Sequence, residues 1–173
     1  ASNCYSLGDA GACELTVTGL QEYGTDKRVA LGGCRALGNL ARNSGNCAWL
    51  GASGACPCVL RVLEKHSGNS SVACEGWLAI SIMCATNAGC RGRFGQLDAC
   101  LKAVEAIRIY STNAGGHALS GISPAIENLA LDRSNLTKLL THGVIDALLE
   151  ALVEVKTVSI EAALFSTLSV LCT

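Results

Sequence analysis

A chain of 173 residues with 50% hydrophobic and 16% charged residues is long enough to bury a core and too apolar to remain disordered. Its net charge of −1 leaves no electrostatic footprint for nucleic acid. The uncharged stretch Gly76 to Cys90, 15 residues that include Ser, Thr, Asn and Gly, is too short and too polar to span a bilayer. Aromatics at 4% and only two prolines argue against an aromatic-rich β-sandwich and for thin helices packed closely. Eleven cysteines, an odd number in a chain with an ample core, point to reduced thiols in a cytoplasmic, reducing compartment rather than a disulfide framework.

The first phrase, Leu7-Gly8-Asp9-Ala10-Gly11-Ala12-Cys13, opens a short helical piece and leads into a second with Val17 and Leu20 on one face. A polar break, Gly24-Thr25-Asp26, follows. A third and longest stretch carries Leu37 and Leu40 and ends at Asn43-Ser44-Gly45, where Asn and Gly suit left-handed helix ends. The phrase then returns. Leu50-Gly51-Ala52-Ser53-Gly54-Ala55-Cys56 lies 43 residues on, Phe94-Gly95-Gln96-Leu97-Asp98-Ala99-Cys100 another 44, and Leu139-Leu140-Thr141-His142-Gly143-Val144-Ile145 another 45. The apolar positions return with it. Val17, Leu60, Val104 and Leu149 are equivalent, as are Leu20, Leu63, Ile107 and Leu152. Leu37 and Leu40 match Ile80 and Met83, Ile126 and Leu129, and Leu168 and Leu171.

In the second unit the middle helix is expected over about Cys56 to Lys65, with a break at Ser67-Gly68-Asn69 and an end at Asn87-Ala88-Gly89. In the third unit the break falls at Ser111-Thr112-Asn113. Gly115-Gly116 and Ser123-Pro124 then interrupt the last stretch, so a helix start is expected at Pro124, capped by Ser123. Gly8, Gly51 and Gly95 recur without a Gly-Lys-Ser/Thr phrase or a preceding strand, and are expected to make tight turns between units rather than cradle a phosphate.

A helical period of about 40–47 residues is the mark of HEAT and armadillo arrays. On the phrases "ALGNLARNSGN" (Ala36 to Asn46), "AIENLALDRSN" (Ala125 to Asn135) and "LRVLEKHSGN" (Leu60 to Asn69), the chain resembles the armadillo repeat family over nearly its whole length. The likeness is greatest to glycine- and alanine-rich armadillo arrays of algae and protists. The resemblance implies an all-α, right-handed α-solenoid of about four repeats, one array over residues 1–173 with units near 7–49, 50–93, 94–138 and 139–173. It also implies a groove lined by third helices, where an asparagine on each clamps the backbone of an extended partner, since an amide donates and accepts at once. Here that asparagine is Asn39 and Asn128, while the equivalent positions hold Ile82 and Val170. The tryptophan of importin-like arrays, four residues earlier, is replaced by Arg35, Leu78, Pro124 and Ser166. A more apolar groove suits a hydrophobic helix or a neighbouring subunit. The resemblance assigns partner binding to Arg35, Asn39, Arg42, Ile82, Thr86, Asn128 and Asp132, with the arginines meeting acidic side chains, the asparagines holding backbone and Ile82 serving as an apolar anchor.

No catalytic residue, cofactor or metal site is expected. The equivalent Cys13, Cys56 and Cys100 read as small core residues. Cys56-Pro57-Cys58 is a C-x-C with no second pair. His66 shares its place with Tyr23 and Tyr110, which makes it a packing position with a polar tip rather than a base. Arg35, Arg42, Arg91 and Arg93 form a modest basic group, and Asp146, Glu150, Glu154 and Glu161 make the last unit acidic. After Glu161 the chain reads "AALFSTLSVLCT", and Ala1-Ser2-Asn3 aligns with the tail of a third helix. Both ends therefore read as cut within an array or covered by partners. The expected function is a non-enzymatic protein-interaction scaffold. Two alternatives stay open: a permanent structural subunit of a ciliary or cytoskeletal assembly, or the regulatory array of an enzyme whose catalytic domain lies outside these residues.

Overall fold

The structure, a computed structural model, describes residues 2–111 and 115–172, the side chain at position 2 excepted. Among them the regular structure is all helical, with twelve α-helices and no strand. In chain order these are α1 (Ser2–Asp9), α2 (Ala12–Tyr23), α3 (Lys27–Leu40), α4 (Ser44–Ala52), α5 (Ala55–Lys65), α6 (Ser70–Thr86), α7 (Ala88–Gln96), α8 (Ala99–Tyr110), α9 (Leu119–Ala130), α10 (Arg133–Thr141), α11 (Val144–Glu154) and α12 (Val158–Leu171). A single 3-10 turn, Gly116–Ala118, leads into α9.

Two kinds of helix start alternate, each with a local cause. Helices α3, α4, α6, α7 and α10 begin at Asp26, Asn43, Asn69, Asn87 and Asp132, extended residues whose side chains accept backbone N–H bonds of 2.8–3.2 Å from the first turn. Helices α2, α5, α8 and α11 follow a left-handed residue instead: Gly11 (φ 84°), Gly54 (φ 88°), Asp98 (φ 58°) and Gly143 (φ 78°). Glycine meets no Cβ penalty there, and Asp is among the few side chains that tolerate it.

Helices adjacent in the chain pack on one another, α3 and α4 excepted, and contacts also recur at an offset of three. Helix α1 lies on α4, α4 on α7 and α7 on α10; α2 lies on α5 and α8 on α11; α3 lies on α6, α6 on α9 and α9 on α12. The chain therefore has a first series (α1, α4, α7, α10), a second (α2, α5, α8, α11) and a third (α3, α6, α9, α12). One core runs through them and includes Leu37, Leu50, Ile80, Phe94, Ile107, Ile126 and Leu139, all fully buried.

Three local expectations are corrected. Asn43 and Asn87 are not left-handed ends of the preceding helices; they are extended, and each caps the short helix that follows. Helix α9 does not begin at Pro124 but starts at Leu119 and runs through it. The interruption lies earlier, before the 3-10 turn, so Pro124 falls inside α9 as its sixth residue, past the first turn, and cannot donate to the Ser120 carbonyl. Ser123 is inside α9 rather than at its cap, and its buried hydroxyl has no partner among the described residues. Gly8, Gly51 and Gly95 make no turn; they lie in the last turns of α1, α4 and α7. The breaks at Gly24-Thr25-Asp26 and Ser67-Gly68-Asn69 fall between helices. Of the third, Thr112 and Asn113 lie outside the described residues.

Candidate functional site

The third series carries most of the residues proposed to bind a partner. Helices α3, α6, α9 and α12 lie side by side, joined by polar contacts in which Cys74, Ser81 and Thr167 are buried and their partners are exposed or half-exposed. Arg35 donates to the Glu75 carboxylate at 2.6 Å. The Cys74 sulfur lies 3.4 Å from the Ser120 hydroxyl. Asn128 donates through Nδ2 to the Ser81 hydroxyl at 3.0 Å, and Thr167 donates to Glu127 at 3.1 Å. These contacts place α3 against α6, α6 against α9 and α9 against α12 at positions near the repeat equivalents 39, 82, 128 and 170.

Each predicted residue has a definite place. Asn39 is exposed, and its backbone carbonyl accepts a hydrogen bond from the Cys4 thiol at 3.4 Å. Arg42 is exposed just beyond the end of α3. Arg35 is exposed but engaged with Glu75, which leaves a paired charge rather than a bare cation at that point. Ile82 and Thr86 are half-buried on α6. Asn128 is half-buried; its amide nitrogen donates to Ser81 and, at 2.9 Å, to the Pro124 carbonyl, so its two N–H bonds are used and Oδ1 is the atom left to accept. Asp132 lies between α9 and α10 and caps α10, its Oδ1 accepting from Ser134 and Asn135. Arg91 and Arg93 of the basic group turn inward: Arg91 donates to the Cys84 carbonyl at 2.5 Å, and Arg93 donates to the carbonyl of Gly51.

A second repeated arrangement, in the first series, is absent from the sequence reading. Asn46 donates to the Cys4 carbonyl at 2.7 Å, the Cys90 thiol to the Cys47 carbonyl at 3.7 Å, and Asn135 to the Arg91 carbonyl at 3.0 Å. These donors hold equivalent positions, as do the acceptors. Facing each donor is one of the glycines taken for turns. A Cβ at Gly8 would stand 1.9 Å from Asn46 Oδ1, at Gly51 2.6 Å from Cys90 Sγ, and at Gly95 1.7 Å from Asn135 Oδ1. The glycines are there because the next helix's polar side chain occupies the space. The signal was in the sequence: a glycine recurring about 40 residues before Asn46, Cys90 and Asn135.

Of the three residues that share the polar-tip position, His66 and Tyr110 reach the preceding repeat, whereas Tyr23 is exposed. A His66 ring nitrogen lies 2.8 Å from the Gly24 carbonyl, and the Tyr110 hydroxyl donates to the Ser67 carbonyl at 2.5 Å.

Nine of the eleven free cysteines are buried; Cys4 is half-exposed and Cys172 exposed. Burial pushes the Cys34 thiol up to about 12 and raises those of Cys13, Cys58, Cys74 and Cys84. Cys47 and Cys56 are raised by hydrogen bonds to Cys90 and then by burial, and the Cys47 and Cys90 sulfurs are 4.0 Å apart. The raised thiols are protonated and poor nucleophiles at neutral pH, while the hydrogen bonds that raise Cys47 and Cys56 lower the Cys90 thiol. Among the described residues no group of three or more His, Cys, Asp or Glu side chains is arranged to hold a metal ion, and no helix is long and apolar enough to cross a membrane. No family model, curated protein or solved structure matches the chain.

Proposed function

We propose that the chain is a non-enzymatic interaction scaffold of the armadillo type, a right-handed solenoid that holds partner segments along a groove formed by its third-series helices. The observation that carries this reading is the lateral packing of α3, α6 and α9, with Asn39, Ile82 and Asn128 at equivalent positions and accessible to solvent. A partner backbone would be held by the Asn39 amide and by Asn128 Oδ1. Ile82 offers an apolar contact, and Arg42 attracts an acidic side chain. Arg35 serves the groove as half of an ion pair with Glu75. The reducing cytoplasm is the compartment that suits eleven free thiols.

The experiment is a displayed-peptide selection on the intact chain, followed by titration of the selected peptide against Asn39→Ala and Asn128→Ala. Each amide contributes about 0.5–1.5 kcal/mol, so the double variant is expected to bind roughly 5- to 150-fold more weakly. Asn39 should carry the larger share, because the Asn128 N–H groups already have partners. Unchanged affinity in the double variant would sink the groove. The second reading, a permanent structural subunit of a larger assembly, is favoured by the exposed Leu15, Val153, Val158 and Phe165 near the two ends.

A further inference from the structure

Two of the first-series junctions carry a cation of the chain's own. Arg93 of α7 donates to the Gly51 carbonyl of α4, and Lys138 of α10 donates to the Gly95 carbonyl of α7 at 2.7 Å. In the register that pairs Leu50 with Phe94 and Leu139, Arg93 and Lys138 are equivalent, and their counterpart on α4 is Trp49. The carbonyl that a cation at this position would reach is that of Gly8 on α1. It accepts one bond, from the Gly11 N–H at 3.0 Å, and keeps a second lone pair. Beside it a cleft of about 350 Å3 lies between α1, α2 and α4, with Tyr5, Gly8, Asp9, Glu14 and Trp49 in its lining.

The chemistry of this cleft is that of a cation site. Asp9 closes α1, where the carbonyls of a helix end already present negative charge, and Glu14 stands in the first turn of α2. Among the described residues neither carboxylate is in an ion pair, and the lining includes no Lys, Arg or His. Tyr5 and Trp49 add two aromatic side chains, 58% and 41% exposed. Aromatic faces attract cations, and a guanidinium stacks on them. The repeat itself does not call for these residues. The second-unit equivalents of Tyr5, Asp9 and Glu14 are Ala48, Ala52 and Pro57, all exposed although that unit has neighbours on both sides. Arg93, in the place of Trp49, is exposed in the third unit as well. The cleft therefore belongs to the flank of the array, which the stacking of units leaves open.

We propose that this cleft binds an arginine side chain presented by a partner chain, its guanidinium taking the place that Arg93 and Lys138 fill at the next two junctions. A planar guanidinium can lie on an aromatic face while its N–H groups reach the carboxylates and the Gly8 carbonyl, which a compact ammonium cannot do. The occupant is a side chain rather than a free amino acid, because a free α-carboxylate would meet Asp9 and Glu14 with no cation in the lining to offset it. The site adds a second point of contact to the interaction reading and does not depend on the third-series groove.

NMR on the intact chain tests this, with an N-acetylated, C-amidated tripeptide of arginine between two alanines as the probe. The Trp49 indole N–H and the Gly8 and Gly11 amides should shift saturably. The same peptide with citrulline, which keeps the shape and removes the charge, should bind at least about tenfold more weakly. Asp9→Asn combined with Glu14→Gln should weaken the arginine peptide about tenfold. Both positions are exposed, and circular dichroism checks that the variant stays folded. Trp49→Arg supplies the cation from within the chain, so it should abolish the shifts at Gly8 and Gly11 without lowering the unfolding midpoint. The absence of a saturable shift, equal binding of the citrulline peptide, or unchanged binding in either variant would each overturn the proposal. Free arginine binding more tightly than the blocked peptide would overturn it in favour of a small-molecule site. The Asn39→Ala, Asn128→Ala variant should bind the arginine peptide as the parent does. Loss of binding there would put the peptide in the groove and overturn the cleft, whereas a failed groove experiment with these shifts intact leaves the cleft standing.

Discussion

The first and third series use the same offset of three helices and hold it by opposite means. In the first series side chains bond to backbone: Asn46, Cys90 and Asn135 reach equivalent carbonyls, and Arg93 and Lys138 reach those of Gly51 and Gly95. A carbonyl is the same whatever residue bears it, so this chemistry repeats along the chain. In the third series side chains bond to side chains, as Arg35–Glu75, Ser81–Asn128 and Glu127–Thr167, and no two junctions are alike. The first series can keep a constant spacing while the third presents a different surface at each step. A scaffold that selects partners needs that division.

The largest effect should come from breaking the first series at its closest approach. Gly95→Ala places a Cβ in the volume of Asn135 Oδ1, and Asn135 is only 2% exposed and has little room to retreat. We expect a loss of about 1–3 kcal/mol in urea unfolding. Asn135→Ala should cost about 1–2 kcal/mol, through loss of its bond to the Arg91 carbonyl. The two should not add. Once Asn135 is shortened the methyl at position 95 has space, so the double variant should be more stable than the sum of the singles predicts. Strict additivity would mean that the glycine serves another purpose.

The helical content, the middle helix near Cys56–Lys65 and two of the polar breaks were legible because they depend on local periodicity and capping residues. The role of the glycines was not. The first two phrases each hold two, as in Gly8 and Gly11, and spacing does not say which one turns the chain. Gly11 and Gly54 have positive φ, whereas Gly8 and Gly51 make room for a neighbouring helix, a fact of packing at a distance of about 40 residues. The same limit hid Asn43 and Asn87: an asparagine between two helices reads equally as the end of one or the start of the next. Pro124 does not open α9, because the break lies earlier, before Gly116. Of the candidate site, the solvent access of Asn39 and Arg42 follows from helical phase. The partners that occupy Arg35, Asn128 and Asp132 come from other helices or depend on where the next helix starts, and no pattern in the chain displays them.

In the third series the stability effects should be smaller. Arg35 is 60% exposed, and its pair with Glu75 should contribute no more than about 1 kcal/mol, so Arg35→Ala should leave the unfolding midpoint nearly unchanged at moderate salt. The informative measurement is the same variant's affinity for a selected peptide. A loss of binding without a loss of stability separates the two series by function, and a large loss of stability would mean that the third series is structural as well.

The smallest expected effect concerns charge at the start of α3. Asp26 accepts hydrogen bonds from the backbone N–H groups of Val29 and Arg28, and these hold its carboxyl below the ordinary 3.8. A carboxyl depressed in the folded state contributes stability that is present above its unfolded value and is lost as pH falls through the folded one. Asp26→Asn keeps an acceptor oxygen and removes the charge. The variant should therefore be slightly less stable than the parent at neutral pH, and the difference should close in acid as pH falls through the depressed folded value and the parent carboxyl is protonated. Urea midpoints at neutral pH and in acid measure it. A difference that persisted in acid would show that the amide fits the cap poorly, so that geometry rather than charge sets the start of this helix. In that case α3 would be anchored in the same manner as α4 and α7, whose caps are asparagines without any charge.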